Sequence, residues 1–361
     1  MPLRRRQFLQ LGCSIAWALP AWADAAAQPA GGSLQLWAGQ VMQHGHVDAQ
    51  GPQARFFDPR GLARDPRNGD ILVADAANAM VRRISSSGAV SSVAGVPLLR
   101  RTVEGPAAKA GFVGPDAVAM GEDGSLYISD SYANTLRVMR DGRVSLLAGA
   151  DGLPGYADGS GARARFNHPV GITVDPRSGE LLVADAYNHT VRAVDRAGRV
   201  RTLAGSPGIS AHRDGPVAQA LFNTPVGVAV DHAGNVYVSE YFNHDVRRIT
   251  PDGQVQTVAG MPGKPGDVDG PALRAQLRRP QQIAFDASGA LWIADAGNYQ
   301  LRRLGSDGVL GTVAGSPGAE IARPGPLPGA LGAPYGVAAG PDGSVAVSSG
   351  QAVLLVHPAR G

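Results

Sequence analysis

FNHPVGITVDPRSGELLVADAYNHTVRAVDRAGRVRTLAG, residues 166–205, is the stretch that decides the fold. Val170 to Val174 alternates in apolarity and reads as a half-buried strand. Asp175-Pro176-Arg177-Ser178-Gly179 then reads as a turn, because proline presets φ at an early turn position and glycine supplies positive φ. Leu181 to Ala184 makes a second strand, and Asp185-Ala186-Tyr187-Asn188 turns the chain again, with side chains suited to bonding their own backbone. Thr190 to Val194 and Arg199 to Ala204 complete four short antiparallel strands. One such sheet cannot bury both faces alone.

The rest of the chain supplies its neighbours. A turn acid recurs as Asp75, Asp130, Asp185, Glu240 and Asp295, each 55 residues after the last. An arginine follows seven residues later every time: Arg82, Arg137, Arg192, Arg247 and Arg302. Fourth strands end on Ala-Gly at Gly95, Gly149, Gly205, Gly260 and Gly315. A sixth unit starts at Ala333-Pro334-Tyr335-Gly336 and stops at Val356 with three strands. Its missing fourth lies at the other end of the chain, where Leu34-Gln35-Leu36-Trp37-Ala38-Gly39 matches Val255-Gln256-Thr257-Val258-Ala259-Gly260. Lending that strand to the last unit closes a ring with no unpaired terminal sheet. The expected fold is therefore all-β, a six-bladed β-propeller of four-stranded antiparallel blades spanning residues 34–357.

The triplets after the turn acid, Asn188-His189-Thr190 and Asn243-His244-Asp245, and more loosely Asn298-Tyr299-Gln300, carry a resemblance to the NHL-repeat family. Blades one and two depart from it with Asn78-Ala79-Met80 and Ala133-Asn134-Thr135, and blade six, Ser348-Ser349-Gly350-Gln351, lacks both acid and arginine. The resemblance implies a propeller and leaves function open. Similar propellers include RNA binders, protein-interaction modules, extracellular sensor domains, and metal-dependent lyases and lactonases.

Residues 1–33 stand apart. Arg4-Arg5-Arg6-Gln7-Phe8-Leu9 resembles a twin-arginine export signal, Leu11 to Ala23 is an apolar run too short to span a bilayer, and Ala21-Trp22-Ala23 has the form of a cleavage site. The expectation is a signal peptide over 1–23, a flexible leader over 24–33, and a periplasmic or secreted product with no membrane attachment after cleavage. Removing Arg4, Arg5 and Arg6 with no acid takes the formal charge from +3 to 0, so the basic balance of the precursor points to neither nucleic acid nor anionic membrane. The single cysteine, Cys13, leaves with the signal. Stability in an oxidising compartment then rests on packing, without disulfides.

Two repeated features read as scaffold. Asp158-Gly159 through Phe166, Asp214-Gly215 through Phe222, Asp269-Gly270 through Leu277, Glu104-Gly105 through Phe112 and Gln50-Gly51 through Phe56 each look like a loop that plugs a large apolar residue between adjacent sheets. The acid and arginine seven residues apart look like an ion-pair spacer, with catalysis the alternative. A functional site in a repeat protein is sought instead where the blades differ.

The channel mouth is such a place. After the first-strand proline stand Arg60, Asp116, Val170, Val226, Gln281 and Tyr335, and His168 lies just before it in blade three. Two positions after the turn acid, three consecutive blades carry Tyr132, Tyr187 and Phe242, where blades one and five have Ala77 and Gly297. Arg60, Asp116, Tyr132, His168, Tyr187, Phe242, Gln281 and Tyr335 are the candidate ligand-binding residues, an aromatic arc beside a polar sector. Of eight histidines only His168 holds a channel position, which is poor for a zinc lyase. Asp58, Asp116, Asn223 and Gln281 could ligate calcium in a lactonase, without a clustered acid pattern. Phosphate loops and serine elbows are absent, so no cofactor and no catalytic residue is expected. The reading is a monomeric module that binds a protein, peptide or small polar ligand on its channel face and does not bind nucleic acid. A calcium or zinc lactonase or lyase is the alternative.

Overall fold

Proline opens each innermost strand, a first-residue position where its missing N–H is tolerated. These strands are Pro59–Arg64, Pro115–Met120, Pro169–Val174, Pro225–Val230, Pro280–Phe285 and Pro334–Ala339. Each packs against the innermost strand of the blade before and after it, and that of blade six against that of blade one, so the ring closes. The computed structural model describes residues 31–359. The export signal and cleavage site expected from the sequence lie outside the described residues, as does most of the leader. Among the described residues no helix is long and apolar enough to cross a membrane.

Blade three is typical: Pro169–Val174, Leu181–Asp185, Thr190–Val194 and Arg199–Gly205 pair antiparallel in that order. Blade six takes its fourth strand from the N-terminus. Ser33–Gly39 pairs with Ala352–His357 in the register Leu34↔Val356 and Leu36↔Leu354. Five of the six sheets hold one strand more than expected, because the Asp-Gly or equivalent loop runs along the outer edge as a two-residue strand such as Gly159–Ser160 or Gly215–Pro216. That extra pairing covers the exposed edge of the fourth strand. Blade one keeps four strands, since its loop meets the outer edge only through the single bridge Gln50↔Ala89.

The loops do plug the ring. Phe56, Phe112, Phe166, Phe222 and Leu277 are completely buried. Phe166, for example, sits among Leu136 and Val138 of blade two and Ile172 and Val183 of blade three.

Each arginine of the ladder pairs within its own blade. Arg192 lies 2.7 Å from Asp185 and 2.6 Å from loop residue Asp158, and Arg82, Arg247 and Arg302 repeat the arrangement with Asp75, Glu240 and Asp295. Blade two departs from it. Asp130 accepts bonds from the Val113 and Gly114 amides, and the nearest ion-pair partner of Arg137 is Glu104 at 3.9 Å.

The triplet after the turn acid also has a structural task. Ala79, Asn134, His189, His244 and Tyr299 all take left-handed φ values of 56–61°. Three of them strap their blade to the next: Asn134 Oδ1, His189 Nδ1 and His244 Nδ1 accept the amides of His168, Thr224 and Arg279 at 2.9, 3.1 and 3.1 Å. Gln351 does the same for Asp58 at 2.9 Å and ties blade six to blade one.

Candidate functional site

The innermost strands deliver their second residues to the mouth, and three of the expected site residues meet there from three blades. Asp116 of blade two accepts two bonds from Arg60 Nη1 of blade one, both 3.0 Å, and one from the Tyr335 hydroxyl of blade six at 2.8 Å. Ser131 donates to its other oxygen at 2.6 Å. Arg60 also pairs with Asp58 at 2.9 Å and lies over the Tyr335 ring at 5.2 Å. Burial works against the Arg60 charge, yet Asp116, Tyr335 and Asp58 hold its pKa well above the ordinary value. Burial and Asp116 push the Tyr335 phenol up, so it remains a donor. This polar sector is a closed network: Asp116 is completely buried and its oxygens are committed. Its members shape the floor of the mouth.

Ser131 was not among the sequence candidates. The signal was available, because blades one, three and five have Ala76, Ala186 and Ala296 after the turn acid.

The aromatic arc stands above this floor. Tyr132, Tyr187 and Phe242 are 57%, 54% and 51% exposed, so they do not cap the sheets beneath them. His168 joins two of them, stacked on Tyr187 at 4.6 Å and edge-on to Tyr132 at 5.2 Å. Burial lowers the His168 pKa, Asp116 opposes this and Arg60 reinforces it. The ring is therefore neutral at pH 7. Phe242 packs edge-on against Tyr241 at 4.8 Å, and Tyr241 leans on an apolar patch of Val170, Ala186 and Val226. Gln281, nearly buried, lines the blade-five side.

Gln282, the next residue, is a second one that the sequence reading missed. Its amide crosses the channel, donating to the Leu62 carbonyl at 2.7 Å and accepting from the Leu62 amide at 2.9 Å and the Val337 amide at 3.2 Å. The other blades carry Gly61, Ala117, Gly171, Gly227 and Gly336 there, a contrast the sequence does contain. Gln282 separates the mouth from a cavity of about 270 Å³ in the far half of the channel, walled by Leu62, Arg64, Ile172, Val228, Ile283 and Val337.

A calcium ion does not fit the mouth. Its carboxylates, Asp58 and Asp116, already share the Arg60 guanidinium, and Asp116 is further bonded to Ser131 and Tyr335. Among the described residues no group of three histidines or acids is placed to hold a metal.

Comparison with known proteins bears on the fold. Residues 166–193 match the family model described as NHL repeat. The chain is 32% identical over 197 residues to NHL repeat-containing protein 2 of Bos taurus, a match covering 50% of this chain and 27% of that protein. It thus spans about a quarter of that curated relative. Among solved structures it resembles an auxiliary nutrient binding protein from Bacteroides thetaiotaomicron, with TM-score 0.67 and 14% identity over 90% of this chain and 76% of the other. A gluconolactonase from Xanthomonas campestris matches with TM-score 0.59 and 14% identity over 91% and 90%. These structural likenesses concern the fold alone.

Proposed function

We propose that this chain is an exported binding module whose ligand seats on the channel mouth, against Tyr132, Tyr187 and Phe242 and above the Arg60–Asp116–Tyr335 floor. One observation carries the reading. Three large aromatics stand more than half exposed at a turn position where blade one accepts Ala77. The fold does not call for them, and aromatic side chains on a preorganised rim are what ligand and protein interfaces use. His168, Gln281 and the buried network hold the rim and limit which polar groups can approach.

A metal-assisted lactonase is the weaker alternative because Arg60 occupies the position between the two carboxylates that a cation would need. The test is a thermal-shift screen of short peptides, sugars and small acids against the purified protein, repeated with Tyr132, Tyr187 and Phe242 all changed to Ala. The reading expects shifts that vanish in the variant while its own melting point barely moves. Lactone hydrolysis that depends on added calcium would replace binding with catalysis. Export is tested by changing Arg5 and Arg6 to Lys: folded, uncleaved protein should remain in the cytoplasm. Precursor found integrated in the membrane fraction would show an anchor instead.

A further inference from the structure

The rim does not end at Phe242. In blade five the equivalent position is Gly297, and a Cβ built on it would stand 2.5 Å from Cγ of Arg278. The aliphatic stem of Arg278 therefore lies where blades two to four carry the Cβ of an aromatic residue. Arg279 adjoins it, with left-handed φ of 51° and its amide pinned to His244 Nδ1 at 3.1 Å. Its guanidinium lies 5.5 Å from the centre of the Tyr241 ring, which packs on Phe242. Around the mouth the rim thus reads Tyr132, Tyr187, Phe242, then two guanidinium groups.

Both arginines are exposed, and among the described residues neither forms a salt bridge. The nearest turn acid, Asp295, is completely buried and already holds Arg302, Asn298 and the Arg278 amide. The field of the pair is felt locally: beyond the effect of burial, Arg279 and Arg278 lower the pKa of His244. No neighbouring acid among the described residues neutralises either charge, so both guanidinium groups are open to an incoming anion. A guanidinium fork suits a carboxylate or an inorganic oxyanion, and its planar face suits an aromatic neighbour.

We propose that the mouth takes a small ligand with an anionic group on a planar or apolar body, the anion held by Arg278 and Arg279 and the body lying on Phe242 and Tyr187. This rests on the binding-module reading and adds the chemical class of the ligand.

The probes are 2-naphthoate, 2-naphthalenemethanol as its neutral counterpart, and sulfate, titrated against the full chain by NMR. Naphthoate should bind at least tenfold tighter than the alcohol, the preference should shrink as salt rises, and sulfate should compete with naphthoate only. Arg278→Gln with Arg279→Gln should erase the preference and leave the affinity for the alcohol unchanged. Arg278→Lys with Arg279→Lys should restore part of it, which separates charge from any loss of folding. Tyr187→Ala with Phe242→Ala should weaken both probes. Equal affinity for acid and alcohol, or naphthoate binding retained in the double Gln variant, would overturn the anion anchor. Binding of the alcohol that still depended on the aromatics would leave the binding-module reading standing. Failure of both probes to bind, or binding indifferent to the aromatics, would overturn the two together.

Discussion

An arginine between two carboxylates occurs in two regions of this molecule. In blade three Arg192 joins Asp185 and Asp158, and the same arrangement recurs within blades one, four and five. At the mouth Arg60 joins Asp58 and Asp116, once only and across two blades. Arg192 is fully buried, whereas the Arg60 side chain keeps 20% of its exposure. Identical chemistry thus does different work. Repeated within the blade, it fixes a loop to a turn. Used once across the ring, it breaks the six-fold pattern and builds a floor beneath an exposed rim.

The largest expected effect belongs to closure. Deleting residues 33–39 bares the edge of the last blade, and a loss of several kcal/mol with aggregation through that edge is expected in thermal unfolding and size-exclusion measurements. A melting point unchanged by the deletion would contradict the strand pairing.

Next come the buried ion pairs. Arg192→Met strands two carboxylates and should cost about 3–5 kcal/mol by denaturant titration. Arg137→Met should cost less than half of that, because among the described residues both terminal nitrogens of Arg137 lack a hydrogen-bond partner and its ion-pair partner, Glu104, is 3.9 Å away. Equal costs would show that the blade-two arginine is as tightly integrated as its siblings.

Blade four offers a test with a pH signature. Asp245 faces Glu240 in strand register, where blades two and three have Thr135 and Thr190. Both acids are completely buried, Arg247 is bonded to Glu240 and to Asp214, and His212 approaches Asp245 at 3.2 Å. Burial raises the Asp245 pKa to about 7, against the pull of Arg247, and raises Glu240 as well, with Asp245 adding to the effect. A raised folded-state pKa contributes stability that is present below the unfolded value, near 3.8, and lost as pH rises through about 7. Asp245→Thr should therefore be the more stable protein at pH 8, by on the order of 1–3 kcal/mol, with the gap closing toward pH 5. A gap that widened on acidification would mean that Asp245 is charged and compensated, with His212 the source of the charge.

The smallest effect is expected at the rim. Replacing Tyr132, Tyr187 and Phe242 together by Ala should cost only about 1 kcal/mol, since exposed turn-tip side chains contribute weakly to stability. Cooperative loss of the fold in that variant would erase the distinction between scaffold and rim.

Much of the scaffold was legible because it is written in local rules applied many times. Alternation marks each strand, Asp-Gly marks each loop, and the match of Leu34–Gly39 to other fourth strands marks the closure. The candidate site was legible in its residue types but less so in their state. Arg60, Asp116 and Tyr335 were expected as polar groups at the mouth, and the structure adds that they bond to one another. The packing of the Arg278 stem at Gly297 is not legible in the sequence, because it depends on how two loops of blade five approach each other.

Periodicity, turn chemistry and the split last blade determine by themselves that the chain closes into six sheets, because each depends on residues close in sequence or on strict repetition. The tertiary structure alone decided which side chains meet across the channel. Gln282 reaches Leu62 across 220 residues of chain, and Tyr335 reaches Asp116 across 219. Such contacts exist only once the ring has closed to a particular radius, and no local pattern in the sequence encodes that distance.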